Sequence, residues 1–223
     1  MKIGVLGGSF DPIQNAHVGM ARLAAKELSL DLVLLLPAGN PYFKKGVTPY
    51  ALRLAMTEAA ARRLKREGIC AEVSRLEADE SRPSYTCDTL ALLKEEYPEA
   101  KLYFICGADV LKTIHTFRKP EEILRLAKLA VFDRGKDPGF DDALEAFHER
   151  FPEGECVPLR GELPDISSTL VRERIKCGED ISELVPPEVA EYIDAQGLYR
   201  SFAEGTASCT TERKCLSSSP EKV

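Results

Sequence analysis

The sequence predicts the α/β class: a parallel sheet with helices on both faces and a small helical segment at the C-terminal end. Three observations carry this. The apolar runs are short and uninterrupted (residues 3–6, 32–36 and 102–106), which suits strands buried on both faces. They alternate with stretches of helical spacing, such as residues 18–28 and 49–67. The first strand, helix and strand form a βαβ unit, whose crossover is right-handed.

The 223 residues suit one domain, expected over 1–200. Residues 201–223 are rich in Ser, Thr and Glu without apolar periodicity, and are expected to be a disordered tail. The net charge of −6 weighs against a nucleic-acid-binding surface. No apolar run is long enough to span a membrane, and the N-terminal residues lack the pattern of a signal peptide. Seven Cys are scattered without C-x-x-C spacing. Cys70, Cys87, Cys106 and Cys156 lie in or beside apolar segments and read as buried free thiols, consistent with a cytoplasmic, reducing location. Three separated His disfavour a structural zinc site.

After the first strand comes Gly7-Gly8-Ser9-Phe10-Asp11-Pro12-Ile13-Gln14-Asn15-Ala16-His17. Two glycines allow a tight bend and close approach of a ligand. The helix expected from residue 18 would direct unpaired N–H groups and a partial positive charge at the turn, an arrangement that suits a phosphate. Gln14 and His17 are three apart, so on a helix both can donate into one space. The turn lacks G-x-G-x-x-G and also lacks the Gly-Lys-Ser/Thr of a P-loop.

The strand at 32–36 leads into a loop carrying Lys44 and Lys45, at the sheet edge where open α/β folds bind ligands. Residues 49–67 read as a helix ended by Gly68, and 69–73 as a short strand. Ser84-Tyr85-Thr86-Cys87-Asp88-Thr89-Leu90 opens the next helix, with its cap expected among Ser84, Thr86 and Asp88. The strand at 101–106 is followed by Gly107-Ala108-Asp109, where Asp109 can cap a helix or bond ribose hydroxyls. A helix over 121–128, a strand over 129–133 and a loop with Arg134 come next. A helix over 141–151 follows, with His148 at its surface, then a strand over 156–159. In Ile166-Ser167-Ser168-Thr169-Leu170-Val171-Arg172 three hydroxyls begin a helix. Thr169 and Arg172 are three apart and can serve one anionic ligand. A last helix opens at Pro187 and ends at Gly197.

These strings together resemble the nicotinate-nucleotide adenylyltransferases of the nucleotidyltransferase superfamily. The first resembles G-G-S/T-F-D-P-x-H-x-G-H, with Gln14 in place of the first His and Ala16 in place of the Gly. Ser84-Tyr85-Thr86-Cys87-Asp88-Thr89-Leu90 resembles S-Y-T-x-D-T-L. Gly107-Ala108-Asp109 to Leu111 resembles G-A-D-x-L, and residues 166–172 resemble I-S-S-T-x-x-R. Tyr42 and Phe43 depart from the family's Pro-Pro-His-Lys, in which Lys44 takes the place of the Lys.

The resemblance implies a Rossmann-like fold and transfer of an adenylyl group from ATP to nicotinate mononucleotide, with Mg²⁺ carried on the phosphates and no dedicated protein metal site. It implies catalytic roles for His17, Gln14 and Arg172. It implies ATP contacts from Gly7, Gly8, Ser9, Phe10, His17, Lys44, Gly107, Asp109, Arg134, Ile166, Ser167, Ser168, Thr169 and Arg172. For the pyridine nucleotide it implies Ser84, Tyr85, Thr86, Phe117 and Arg118, with Phe117 in place of a stacking Trp. A neutral Gln14 donates more weakly than an imidazolium, which leads to an expected rate penalty of roughly 10- to 100-fold. Two alternatives follow: a catalytically weakened nucleotide-binding relative, or an enzyme that uses nicotinamide mononucleotide. A homo-oligomer is left open.

Overall fold

A computed structural model describes residues 1–41, 45–133 and 139–200. Its strands are β1 (Lys2–Gly8), β2 (Leu32–Pro37), β3 (Ala71–Val73), β4 (Lys101–Gly107), β5 (Ala127–Asp133) and β6 (Cys156–Arg160). They form one sheet in the order β3-β2-β1-β4-β5-β6. Every neighbouring pair is parallel, with Val5 opposite both Leu34 and Phe104. The chain moves outward from β1 in one direction, then returns to its other side at β4. This reversal makes the C-terminal ends of β1 and β4 a switch point, where such sheets bind ligands.

Alternate residues feed two cores. In β2, Val33 and Leu35 face one layer while Leu32, Leu34 and Leu36 face the other. The first layer receives α1 (Asn15–Glu27), α2 (Tyr50–Arg66), α7 (Ser168–Lys176) and α8 (Pro187–Gln196), through residues such as Met56, Val171 and Ile193. The second receives α3 (Thr86–Glu96), α4 (Asp109–Thr113), α5 (Pro120–Leu126) and α6 (Phe140–Arg150), through Leu90, Ile123 and Phe147. The predicted class is therefore the observed one. No helix among the described residues is long and apolar enough to cross a membrane.

Several local expectations are corrected. The first helix starts at Asn15, not residue 18, because the Gln14 side chain caps it. The N-cap of α3 is Tyr85, which makes no side-chain cap bond. Thr86 is therefore already helical, and Asp88 sits in the first turn, where its charge suits the helix dipole. The expected strand over 69–73 is confined to Ala71–Val73. Cys70 and Cys177 are exposed and Cys156 is half-buried; Cys87 and Cys106 are buried as expected. His148 is at the surface as expected.

Arg53 of α2 is 1% exposed. Its guanidinium donates to the carbonyls of Ser9 (2.7 Å), Ala38 (2.7 Å), Gly39 (3.1 Å) and Thr48 (2.7 Å). The β1–α1 loop and the loop after β2 thus share one buried cation. Gly39 is required beside it, because a Cβ there would lie 2.0 Å from the carbonyl oxygen of Glu77. Replacing Arg53 with Met strands these four carbonyls without their donor. The Arg53→Met variant is expected to lose about 3 kcal/mol or more of stability in urea unfolding. Arg53→Lys should recover only part of that, because an ammonium cannot span the same fork.

Candidate active site

A cleft of about 370 Å³ opens at the switch point. It brings together Gly7 and Gly8 from the end of β1, Ser9 and Gln14 from the first loop, His17 from the first turn of α1, Gly107 from the end of β4 and Asp109 from the start of α4. Ser84, Thr86 and Phe117 line it from the second layer. A Cβ built on Gly7 would meet nothing within 4 Å, so this glycine leaves space in the cleft rather than relieving a clash.

Phe10 does not line the cleft. It is buried, holds a left-handed backbone (φ 46°), and sets its ring edge-on to His17 at 5.1 Å. Such backbone strain in a non-glycine persists only where surrounding contacts over-determine it. Here the ring supports His17 from behind. The Gln14 N–H donates to His17 Nδ1 at 3.2 Å. A nitrogen that accepts has no hydrogen of its own, so the imidazole proton sits on Nε2.

The sequence reading aimed Gln14 and His17 into one space, and both line the cleft. The structure adds where the Gln14 amide is directed. Gln14 is 3% exposed and its amide is turned onto backbone: Oε1 accepts from Ala16 N–H, and Nε2 donates to the Ile166 carbonyl at 2.9 Å. Two further bonds join the same two segments. Ser168 Oγ donates to the Pro12 carbonyl (2.9 Å), and Arg172 Nη1 donates to the Asp11 carbonyl (2.7 Å). Residues 11–14 and 166–172 are thus zipped together, and the N-terminus of α7 is fixed beside the first loop. Ser167 caps α7 by accepting from Leu170 N–H at 3.1 Å. Arg172 Nη2 reaches Thr169 Oγ1 at 3.2 Å, so the predicted Thr–Arg pair does share one place.

Tyr85 and Arg118 meet each other beside the cleft. The guanidinium lies 4.6 Å from the ring centroid and pairs with Asp88 at 3.4 Å. Lys44 and Arg134 fall outside the described residues, as does the expected tail at 201–223. Ser9 is buried, lines the cleft, and its hydroxyl has no hydrogen-bond partner among the described residues.

Three residues escaped sequence reasoning. Glu77 lines the cleft next to Ser84 and Thr86 and accepts from Thr89 Oγ1 at 2.7 Å. Burial pushes its carboxyl above the ordinary value, against hydrogen bonds from Thr89 and Ser84. Tyr199 donates to Asp11 Oδ1 at 2.8 Å. Burial raises the phenol well above its usual range, so it remains a donor. Arg53 is the third. None lies in a chemistry-bearing motif; the helical spacing over 49–67 reads its Arg and Lys as facing outward, and buried Arg53 corrects that reading.

The parallel sheet and its switch-point cleft, flanked by two zipped helix N-termini, define a Rossmann-like α/β protein built to hold an anionic ligand. Residues 5–174 match the cytidylyltransferase-like family. A Leifsonia xyli protein named "probable nicotinate-nucleotide adenylyltransferase" is 39% identical over 202 residues, covering 91% of this chain and 96% of the relative. One of the same name from Desulfitobacterium hafniense is 38% identical, covering 89% and 96%. The solved Plasmodium falciparum nicotinic acid mononucleotide adenylyltransferase, in complexes titled with APC and with NaAD, superposes with a TM-score of 0.71. It is 22% identical, and the complex with APC covers 89% of this chain and 96% of its own. The chain belongs to the nicotinate-nucleotide adenylyltransferases of the cytidylyltransferase-like family.

The raised Glu77 carboxyl has a measurable consequence. Its folded pKa exceeds its unfolded one, so the folded state binds the proton more tightly. Its favourable contribution is complete below the unfolded value and is lost as pH rises through the folded value. Glu77→Gln is therefore expected to gain stability relative to the parent as pH rises from 4 to 7. Thermal melts of both proteins across that range would show a difference that grows with pH; a pH-independent difference would count against it.

Proposed function

We propose that this chain transfers the adenylyl group of ATP to nicotinate mononucleotide, forming nicotinate adenine dinucleotide and pyrophosphate. The observation that carries the reading is the zipper between residues 11–14 and 166–172, which holds the N-terminus of α7 against the loop that lines the cleft. Helix N-termini hold phosphates through N–H groups and the local dipole. The relatives' names supply the acceptor and the reaction.

The site then divides along its length. Gly7, Gly8 and Ser9 receive the nucleotide, and the Ser9 hydroxyl gains the partner it lacks. Gly107 and Asp109 at the end of β4 face its ribose. Ser167, Ser168, Thr169 and Arg172 hold the triphosphate from α7, with Ile166 anchoring that segment, and Lys44 and Arg134 belong to the same subsite. Phe117 stacks on the pyridine, Thr86 and Ser84 meet its carboxylate, and Tyr85 with Arg118 closes the outer wall. The catalytic unit lies within residues 1–200.

The mononucleotide phosphate oxygen attacks the α-phosphorus in line. The bond to the β-phosphate oxygen breaks, and pyrophosphate leaves with the electron pair. No covalent enzyme intermediate is needed, so the protein's work is positioning and charge stabilisation. His17 Nε2–H donates to phosphate oxygens as charge moves to the leaving group. Arg172 adds a planar, charged donor.

Among the described residues no group of three or more His, Cys, Asp or Glu side chains could hold a metal ion. The carboxylate near the proposed ribose end, Asp109 in the cleft wall, fits a divalent cation that arrives on the triphosphate with most of its own ligands. We assign that role to Mg²⁺, which when bound neutralises phosphate charge.

Pyrophosphate release should be measured with ATP, Mg²⁺ and each pyridine mononucleotide separately. Turnover is expected with nicotinate mononucleotide; its absence with both acceptors would overturn the reading. Alanine at His17 or at Arg172 is expected to lower kcat by about 10²–10³.

A further inference from the structure

We propose that Gln14 is a positioning residue whose single amide both caps α1 and stitches the first loop to the segment that presents Ser168, Thr169 and Arg172. The inference rests on the adenylyltransferase reading for its kinetic consequences, but not for its geometry.

The amide has one acceptor and two donor hydrogens. Oε1 receives the Ala16 N–H and makes a reciprocal capping box with His17, whose Nδ1 receives the Gln14 N–H. One hydrogen of Nε2 goes to the Ile166 carbonyl at 2.9 Å, across 152 residues of sequence. The group is 3% exposed, so neither bond competes with bulk water. Ile166 is itself buried. It stands two residues before Ser168, so the stitch sets where α7 begins. The capping box also fixes the tautomer of His17. One side chain therefore sets both faces of the anion site: the Nε2 donor on α1 and the hydroxyl and guanidinium donors on α7.

This changes the meaning of Gln at this position. A neutral imidazole has one donor and one acceptor. It can cap α1 and reach Ile166, but nothing is then left for a ligand. An imidazolium has two donors and no acceptor, so it gives up the cap. The amide makes both backbone bonds and keeps a second Nε2 hydrogen, on a residue that lines the cleft. Gln14 is thus suited to its surroundings and is not a damaged version of a charged donor.

Three variants separate the roles. Gln14→Glu retains the acceptor and loses the donor to Ile166. Gln14→Leu keeps approximate size and loses both. Gln14→His keeps at most one acceptor and one donor. Two readouts are taken on each folded protein: steady-state kinetics for pyrophosphate release, and amide hydrogen exchange over residues 165–172.

Faster exchange over 165–172 is expected in the Glu and Leu variants, together with about a tenfold or greater loss of kcat/KM for ATP. Gln14→His should show near-parental exchange and no gain in kcat. A tenfold rise in kcat for Gln14→His would overturn the proposal, as would unchanged exchange in the Leu variant. If Leu unfolds the chain, the Glu variant, which keeps the cap, decides by the same readouts. If the parent itself shows no turnover, the adenylyltransferase reading fails, while the exchange data still confirm or overturn the stitch.

Discussion

A cation with no carboxylate in direct contact among the described residues holds together the loops after β1 and β2. Arg53 lies beneath them and bonds four carbonyls, one from the first loop and three from the loop after β2. Burial lowers its pKa and the nearby Asp11 carboxylate opposes that, yet a guanidinium stays charged in any protein setting. Breaking these bonds would leave a buried charge without partners, which costs far more than a lost surface contact. Loops that emerge from adjacent parallel strands have no ladder of their own beyond the strand ends. Here a side chain from α2 replaces that ladder.

Asp11 ties this clamp to the other half of the site. Its carboxylate accepts from Tyr199 and from Thr48 N–H, and its backbone carbonyl accepts from Arg172. Thr48 also gives its carbonyl to Arg53. Residues from four places in the sequence therefore converge on one loop: α2, the segment before it, α7 and the residues after α8. The C-terminal segment carries no phosphate ligand in the proposed mechanism, but it secures the loop that does. Loss of the Tyr199 hydroxyl would free one side of Asp11 and act on the site at second hand.

The centre of the sheet was legible because parallel strands buried on both faces leave continuous apolar runs, as in β1, β2 and β4, whereas the short edge strands β3 and β6 are only partly buried. The motif loops were legible as strings, and the cleft gathers ten of the residues they marked. What the strings could not show was the direction in which a side chain points. Gln14 reads as a donor toward a ligand, and its amide in fact bonds the backbone of Ala16 and of Ile166, with one Nε2 hydrogen left over. Ser84 reads as a helix cap, but it hydrogen-bonds Glu77 instead, and the helix starts without a side-chain cap. Glu77, Arg53 and Tyr199 look like ordinary loop and helix residues because their partners lie 5 to 188 positions away. Local pattern carries the periodicity of an element; it carries no information on partners that only the tertiary fold brings close.

The charge balance is consistent with this division of labour. The chain carries a net charge of −6, yet its cleft is built to receive a triphosphate. Global charge acts over distances that salt screens, whereas a buried cation and two helix N-termini act locally at the cleft. Arg53 and Arg172 supply fixed positive charge behind and beside the first loop. Asp11 offsets Arg53 from below, on the side of Thr48 and Tyr199, and so lowers the cost of burying the guanidinium. Glu77 lines the cleft with Ser84 and Thr86, away from Arg53 and Arg172, so the cleft is electrostatically polarised from one end to the other.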